Sequence, residues 1–185
     1  MNKEAITMAE TLSTLKSRRS CRAYRPDLIP EDKLNAIIEA GTYAATGMGK
    51  QSPIIIAVTD RQTRDQLSKM NAAVMGADMD PFYGAPELLI VLANKAVPTY
   101  LYDGSLVMGN MMNAAEDLGV ASCWIHRAKE EFESAEGKAL LARLGIEGDY
   151  EGIGHLILGY AAAPAKAPAP RKDNYVYRIE MSKTQ

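Results

Sequence analysis

The chain has 185 residues, of which 24% are charged and 47% belong to the apolar and aromatic set, with a formal net charge of -2. That length suits one domain closing a substantial hydrophobic core, and that composition excludes a disordered, collagen-like or disulfide-scaffolded chain. A pI near 5.8 with only 6% aromatic residues argues against an extended nucleic-acid-binding face.

From the N-terminus, "MNKEAITMAETL" has no apolar core of signal-peptide length, so a cytoplasmic location with no membrane partner is expected. A helix through "MAETLSTLKS" runs into "RRSCRAYR", which packs Arg18, Arg19, Arg22 and Arg25 into a few positions. "PEDKLNAIIEAGTYAA" predicts a helix from about 30 to 45. Its Leu34, Ile37, Ile38, Gly41 and Ala45 recur near helical spacing, and Pro30, Glu31 and Asp32 suit a helix start. "SPIIIAVT" and "APELLIVLANK" are short β-branched or aliphatic runs that read as buried strands. "DRQTRDQLSKMNAAVM" between them reads as an amphipathic helix. "DGSLVMGNMMNAAEDLG" predicts a tightly packed central helix with a stripe of Leu106, Asn110 or Met111, Ala114 and Leu118, and small residues admitting a neighbouring helix. "VASCWI" is the third strand, "KEEFESAEGKALLARLG" one helix ended by Gly145, and "GIGHLILGYA" the fourth strand. The Pro/Ala-rich "AAAPAKAPAPRKDN" leaves the core, and "YVYRIE" alternates like a final strand. The expectation is an α+β fold with a single domain over 1–163 and a C-terminal extension over 164–185. Such an extension is too small to be stable alone and is expected to dock on a partner subunit of a homodimer.

Chemistry-bearing residues are few. Cys21 and Cys123 are the only cysteines, with no CxxC and only His126 and His155 to assist, so no metal is expected. Arg18, Ser20 and Arg22 share one parity, so an extended backbone would point them to one side as an anion-reading comb. The competing reading places Arg18 and Arg19 in the last turn of a helix, where cations suit the dipole. The residues alone leave both open. Cys21, among arginines, could be a reactive thiolate, but with no resolving cysteine nearby the plainer reading is a small apolar residue filling its place. His155 reads as a bonded core or interface residue, and Met108, Met111 and Met112 as core filler. No dinucleotide-binding or phosphate-loop glycine motif occurs.

"RRSCRAYRPDLIPEDKLNAIIEAGTYAATGMGKQSPIIIAVTD" resembles the opening of the nitroreductase family, with its Arg-x-Ser-x-(Arg/Lys) segment, helix and small-residue loop. The likeness continues through "DGSLVMGNMMNAAEDLGVASCWI", "LGY" and "PRK". It implies a mixed, mainly antiparallel sheet flanked by helices, with C-terminal arms exchanged in a homodimer. It also implies an FMN-dependent oxidoreductase working by a ping-pong cycle, in which NADH or NADPH reduces the bound cofactor and a nitro, quinone or related small-molecule acceptor is then reduced.

Carried over by position, the resemblance implies that Arg18, Arg19 and Ser20 hold the cofactor phosphate and Arg22 lies toward the pyrimidine edge. Gln51, Ser52 and Pro53 would meet the ring from the loop, Asn71 its pyrimidine edge, and Trp124, Ile125 and His126 would pass close through backbone groups. Arg171 and Lys172 would close over the phosphate. No side chain is expected to be strictly catalytic, because the chemistry belongs to the flavin, with His126 the one candidate proton donor. The chain departs from the family in one place: the usual Gln-Pro-Trp becomes Gln51, Ser52, Pro53, Ile54, which shifts the loop register. It also has little room between "AVMGADMDPFYGAPE" and the next strand for a covering helix, which implies an open flavin face. Two other functions are compatible with the same residues: another reductive reaction on this fold, such as dehalogenation or ene reduction, and a non-catalytic FMN- or anion-binding module.

Overall fold

A computed structural model describes residues 10–179. In chain order it contains α1 (Glu10–Ser17), α2 (Glu31–Thr42), β1 (Pro53–Val58), α3 (Arg61–Met75), β2 (Glu87–Asn94) and α4 (Tyr100–Asp117). There follow β3 (Ala121–Ile125), α5 (Ala128–Glu133), α6 (Ala135–Arg143) and β4 (Tyr150–Gly159). The strands form one sheet in the order β1-β2-β4-β3. Every neighbouring pair is antiparallel, with Ile55 opposite Val91, Leu89 opposite Leu156 and Cys123 opposite Ile157. The expected mixed sheet is therefore antiparallel throughout its four strands, and the parallel pairing is confined to an isolated bridge between Ser20 and Ser122.

The period of two along β2 and β4 divides the core between the two faces of the sheet. Leu89, Val91, Leu156 and Leu158 meet Ile37 of α2 and Val107, Met108 and Met111 of α4. Leu88, Ile90, Leu92 and Ile157 meet Leu67 of α3, Phe82, Phe132 of α5 and Leu141 of α6. With helices on both faces, the two central strands are buried almost end to end, which explains their unbroken apolar runs.

Three local expectations need correction. On α4 the buried face is Gly104, Val107, Met108, Met111 and Ala115, whereas Leu106 is exposed. The close helix approach is made from the other side: a Cβ on Gly41 of α2 would lie 2.7 Å from Met111 Cγ, while one on Gly104 would strike Ile153 of β4 at 2.5 Å. The single helix expected over 129–145 breaks at Ser134, whose backbone is extended (φ -69, ψ 163) and whose Oγ accepts from Gly137 N at 3.1 Å, starting α6 as an N-cap. In the tail, Asp173–Tyr175 is a single 3-10 turn and residues 176–179 form no strand. Glu180, the last residue of the expected strand, lies outside the described residues.

Residues 76–86 hold turns and no helix, so nothing helical stands between α3 and β2. From Ala161 to Ile179 every residue is exposed. Among the described residues no helix is long and apolar enough to cross a membrane.

Candidate functional site

Where α1 ends at Ser17 the chain becomes extended and lies along the outer edge of β3. Cys21 N donates to Ser122 O at 2.9 Å, and further on Arg25 N donates to Tyr160 O and Ala162 N to Ala23 O, each at 2.9 Å. The segment occupies a sheet edge that would otherwise present unpaired backbone groups. Its extended backbone meets the condition on which one-sided display of Arg18, Ser20 and Arg22 depends.

The arginines separate into distinct environments. Arg19 turns back on the helix, its Nη1 donating to Lys16 O and Arg18 O, both at 2.7 Å, and so closes the C-terminal end of α1. Arg18 is half-buried, and its Nη1 is sealed from solvent without a hydrogen-bond partner among the described residues. Arg22 is exposed and forms no hydrogen bond or ion pair among the described residues. Arg25 pairs with Asp27 at 3.6 Å and lies over the Tyr160 ring at 5.0 Å. The helix-end reading holds for Arg19 and for the backbone of Arg18, whose N–H donates to Thr14 O at 3.0 Å, while Arg18 Nη1 and Arg19 Nε are buried donors without a partner among the described residues. A buried guanidinium nitrogen with nothing to donate to carries a desolvation cost that an anionic oxygen would remove.

The loop before β1 is tied down by a residue that sequence reasoning missed. Asp103, in the first turn of α4 and only 2% exposed, accepts from Gly47 N at 2.9 Å, Ser52 Oγ at 2.7 Å and Thr99 Oγ1 at 3.1 Å. Burial pushes its carboxyl upward, but the hydrogen bonds from Ser52, Gly47 and Thr99 prevail and hold it below the ordinary range. The signal was an acid on the core side of an apolar helix, which requires donors from somewhere. Ser52, expected at the ring, has its hydroxyl directed instead to Asp103. Pro53 opens β1 opposite Ala93. Gln51 is exposed with φ 47, a left-handed conformation, and its N–H donates to Thr46 Oγ1 at 3.1 Å, while Met48 has φ 54. The inserted serine thus serves as the strut that anchors the loop.

At the far end of β3, Trp124 and Ile125 are half-buried and His126 is exposed. The Trp124 and His126 rings lie 6.1 Å apart, and Trp124 Nε1 is buried without a partner. Asn71 is inside the protein, at 0% exposure. Its Nδ2 donates to His126 O at 2.7 Å and also bonds Glu131 Oε1, which His155 Nε2 meets at 3.0 Å. Asn71 therefore positions the backbone after β3, just before Arg127 turns to φ 80. His155 is the bonded core residue expected, with Phe82 and Phe132 against its ring. Sequence reasoning missed Glu131, which lies within a run of acids on an apparently solvated helix.

Within one chain, Arg171 and Lys172 are not gathered with Arg18. Both are exposed, Arg171 Nη2 donating to Ala169 O at 2.6 Å and Lys172 lying over the Tyr175 ring at 5.4 Å.

The Nitroreductase family profile matches residues 15–78, a span that contains the arginine segment, the loop and Asn71. An Archaeoglobus fulgidus protein named "Putative NADH dehydrogenase/NAD(P)H nitroreductase" is 30% identical over 173 residues, covering 91% of both chains. A Bacteroides fragilis nitroreductase crystallised with bound FMN superposes with a TM-score of 0.85 at 32% identity, covering 94% of this chain and all of that one. A second, from Desulfitobacterium hafniense, has the same fold at 24% identity and a TM-score of 0.84, over 94% of this chain and all of its own. With near-complete coverage and this degree of identity, the chain belongs to the nitroreductase family.

Proposed function

We propose that the chain is an FMN-dependent oxidoreductase that passes hydride from NADH or NADPH to a small nitro, quinone or related acceptor in a ping-pong cycle. The observation that carries this reading is Arg18 Nη1, a buried donor without a partner in a segment strapped to the edge of β3. Bound FMN would supply the hydride-accepting ring. The chain's own residues account for holding it.

Arg18 and Ser20 fit a terminal phosphate, because a guanidinium and a hydroxyl offer charge-assisted and neutral donors with no carboxylate paired to Arg18. Arg19 fixes the helix end through its Nη1, and its buried Nε, without a partner among the described residues, is a further donor beside Arg18. Arg22, uncompensated, supplies positive charge that favours a ring gaining negative charge on reduction. The backbone at Trp124–His126 is held by Asn71, and Asp103 holds the loop carrying Gln51, so both walls are built on buried carboxylate networks. The bound FMN of the Bacteroides fragilis relative and the nicotinamide in the Archaeoglobus fulgidus name support cofactor and reductant.

The same reading includes a homodimer. Tyr43, Met48, Leu101, Tyr102 and Leu106 are exposed around α4 and the loop, apolar surface that a second copy would cover. The arm beyond 163 would then bring Arg171 and Lys172 to the partner's phosphate site.

Purified protein should carry visible flavin absorption, or acquire it on addition of FMN, and NADH or NADPH should bleach it. A colourless protein that takes up no FMN would refute the proposal. Retained flavin that neither nicotinamide reduces would leave a binding module or another electron donor.

A further inference from the structure

Cys21 and Cys123 lie far apart in sequence, yet the isolated parallel bridge pairs Ser20 with Ser122, and Cys21 N donates to Ser122 O at 2.9 Å. The bridge is isolated, but one further residue of the same parallel register would set Cys21 opposite Cys123 on one face, and Cys21 is near enough to act electrostatically on the Cys123 thiol. Adjacent strands lie about 4.8 Å apart, and a disulfide accepts Cα separations of roughly 4.4–6.8 Å. Closing the bond requires the Cβ atoms to approach to about 3.8 Å. The arginine segment can supply that shift, since it is an edge segment strapped by single bridges and not a ladder strand.

The surroundings agree. Both cysteines are free, Cys21 partly exposed and Cys123 buried. Cys21 Sγ donates to Ala23 O at 3.2 Å and Cys123 Sγ to Trp124 O at 3.7 Å, weak thiol contacts that neither would lose much by leaving. The Tyr24 hydroxyl donates to Cys21 O at 3.1 Å. Burial raises its pKa, and the nearness of both Cys21 and Cys123 raises it further, so the two thiols converge on one place. Burial likewise pushes the Cys123 thiol up, while Arg22, the Ser20 hydroxyl and Arg18 draw it back.

We propose that Cys21 and Cys123 are a reversible redox pair, in which a peroxide oxidises Cys21 and Cys123 closes an intrachain disulfide that clamps the arginine segment onto β3. In the first step the Cys21 thiol is oxidised by hydrogen peroxide to the sulfenic acid, with release of one water. In the second, Cys123 sulfur attacks Cys21 sulfur, its proton and the departing hydroxide leaving as a second water. Two thiols lose two electrons, the peroxide gains them, and a dithiol reductant restores the start. The bond fixes Ser20 and Arg22 on either side of Cys21, so the proposed phosphate site is rigid in one redox state and freer in the other. The pairing itself rests on the Ser20–Ser122 bridge beside the two cysteines and stands whether or not FMN binds.

The test uses the full chain, reduced, desalted and treated with hydrogen peroxide. Thiols are counted with a chromogenic disulfide in denaturant, and peptides are mapped by mass spectrometry without reduction. Cys21 and Cys123 should disappear together, as one cross-linked peptide lighter by two hydrogens, and return with dithiothreitol. In Cys123→Ser, Cys21 should proceed to the sulfinic acid, and in Cys21→Ser, Cys123 should be lost about tenfold more slowly than in the parent chain, as a buried thiol is. Sulfinic acid at Cys21 beside an intact Cys123 in the unmutated chain would overturn the proposal. So would a disulfide joining two chains, or no thiol loss at all.

Discussion

Arg64, on α3, spends its guanidinium completely: Nε donates to Ala85 O at 2.9 Å, Nη2 to Asp80 Oδ2 at 2.6 Å and Nη1 to Asp65 Oδ1 at 3.0 Å, with the Phe82 ring beneath it at 5.4 Å. Asp80 also accepts from Ser68 Oγ and from the backbone of Phe82 and Gly84, closing the turn that leads into β2. Arg18, in the segment along the edge of β3, has a buried Nη1 with no acceptor among the described residues. The same side chain is thus a completed joint in one region and an open valence in the other. On the proposed reading the contrast separates two kinds of cation: a structural one is supplied with acceptors by its own chain, and a ligand-binding one is left without them.

The largest effect should come from Arg64. Arg64→Ala strands Asp80 and Ala85 O, and a loss of about 2–4 kcal/mol is expected, the upper part of the range being reduced by the partial exposure of Asp80. Chemical denaturation measures it, and FMN uptake per folded molecule should be unchanged. A loss below about 0.5 kcal/mol would erase the contrast, since the joint would then hold nothing.

Arg18→Ala should do the reverse. Folding stability should stay within about 0.5 kcal/mol, because the removed donor had no partner to strand. FMN affinity should fall roughly 10- to 100-fold, the value of a charge-assisted hydrogen bond to an anion. Fluorescence titration of flavin against apoprotein reads the second number. Retained affinity with lowered stability would show that Arg18 is packing and not a ligand donor.

How much of this the sequence carried depends on whether the determining contacts are local. The strands and the long helices were legible because apolar runs and helical spacing are local signals. The N-cap at Ser134 was missed because one polar residue breaks an otherwise continuous helical pattern, and the tight turn is visible only once a Cβ on Gly137 is seen to meet Glu131 O at 2.1 Å. On α4 the stripe was displaced because Asp103, a polar residue, faces inward, which composition alone assigns to solvent. The sequence pointed to the segment carrying Arg18, Ser20 and Arg22, which leaves the end of α1 and lies along the edge of β3. That Asn71 and Ser52 are internal struts, and that Ser122 pairs with Ser20, depends on contacts between distant segments, and no single-sequence period reports those.

Asp103 extends the comparison to carboxylates, because like Asp80 it is saturated by its own chain. Hydrogen bonds lower both folded pKa values against the opposing effect of burial. A depressed folded pKa contributes stability that is present above the unfolded value of about 3.9 and is lost as pH falls through the folded value. Stability should therefore decline on acidification through that window. Asp103→Asn should flatten part of the decline while costing about 1–2 kcal/mol at neutral pH through the weakened bonds from Gly47 and Ser52. An acid limb of unchanged slope in Asp103→Asn would mean that the loop is held by something else.

Arg25 sets the small end of the scale and separates position from charge. It lies in the same segment as Arg18, but its side chain is 53% exposed, its partner Asp27 is 60% exposed, and their contact is 3.6 Å. Water screens such a pair to about 0–1 kcal/mol, and an exposed cation over a ring adds roughly 0.5–1 kcal/mol. Arg25→Ala should therefore shift stability by less than about 1 kcal/mol and leave FMN affinity within a factor of about two. The second half of that expectation is the sharper one, because total positive charge falls by the same amount as in Arg18→Ala. If the segment attracted an anion only by its summed charge, the two variants would weaken FMN alike, and a difference of tenfold or more between them locates the effect at Arg18 and not in the summed charge.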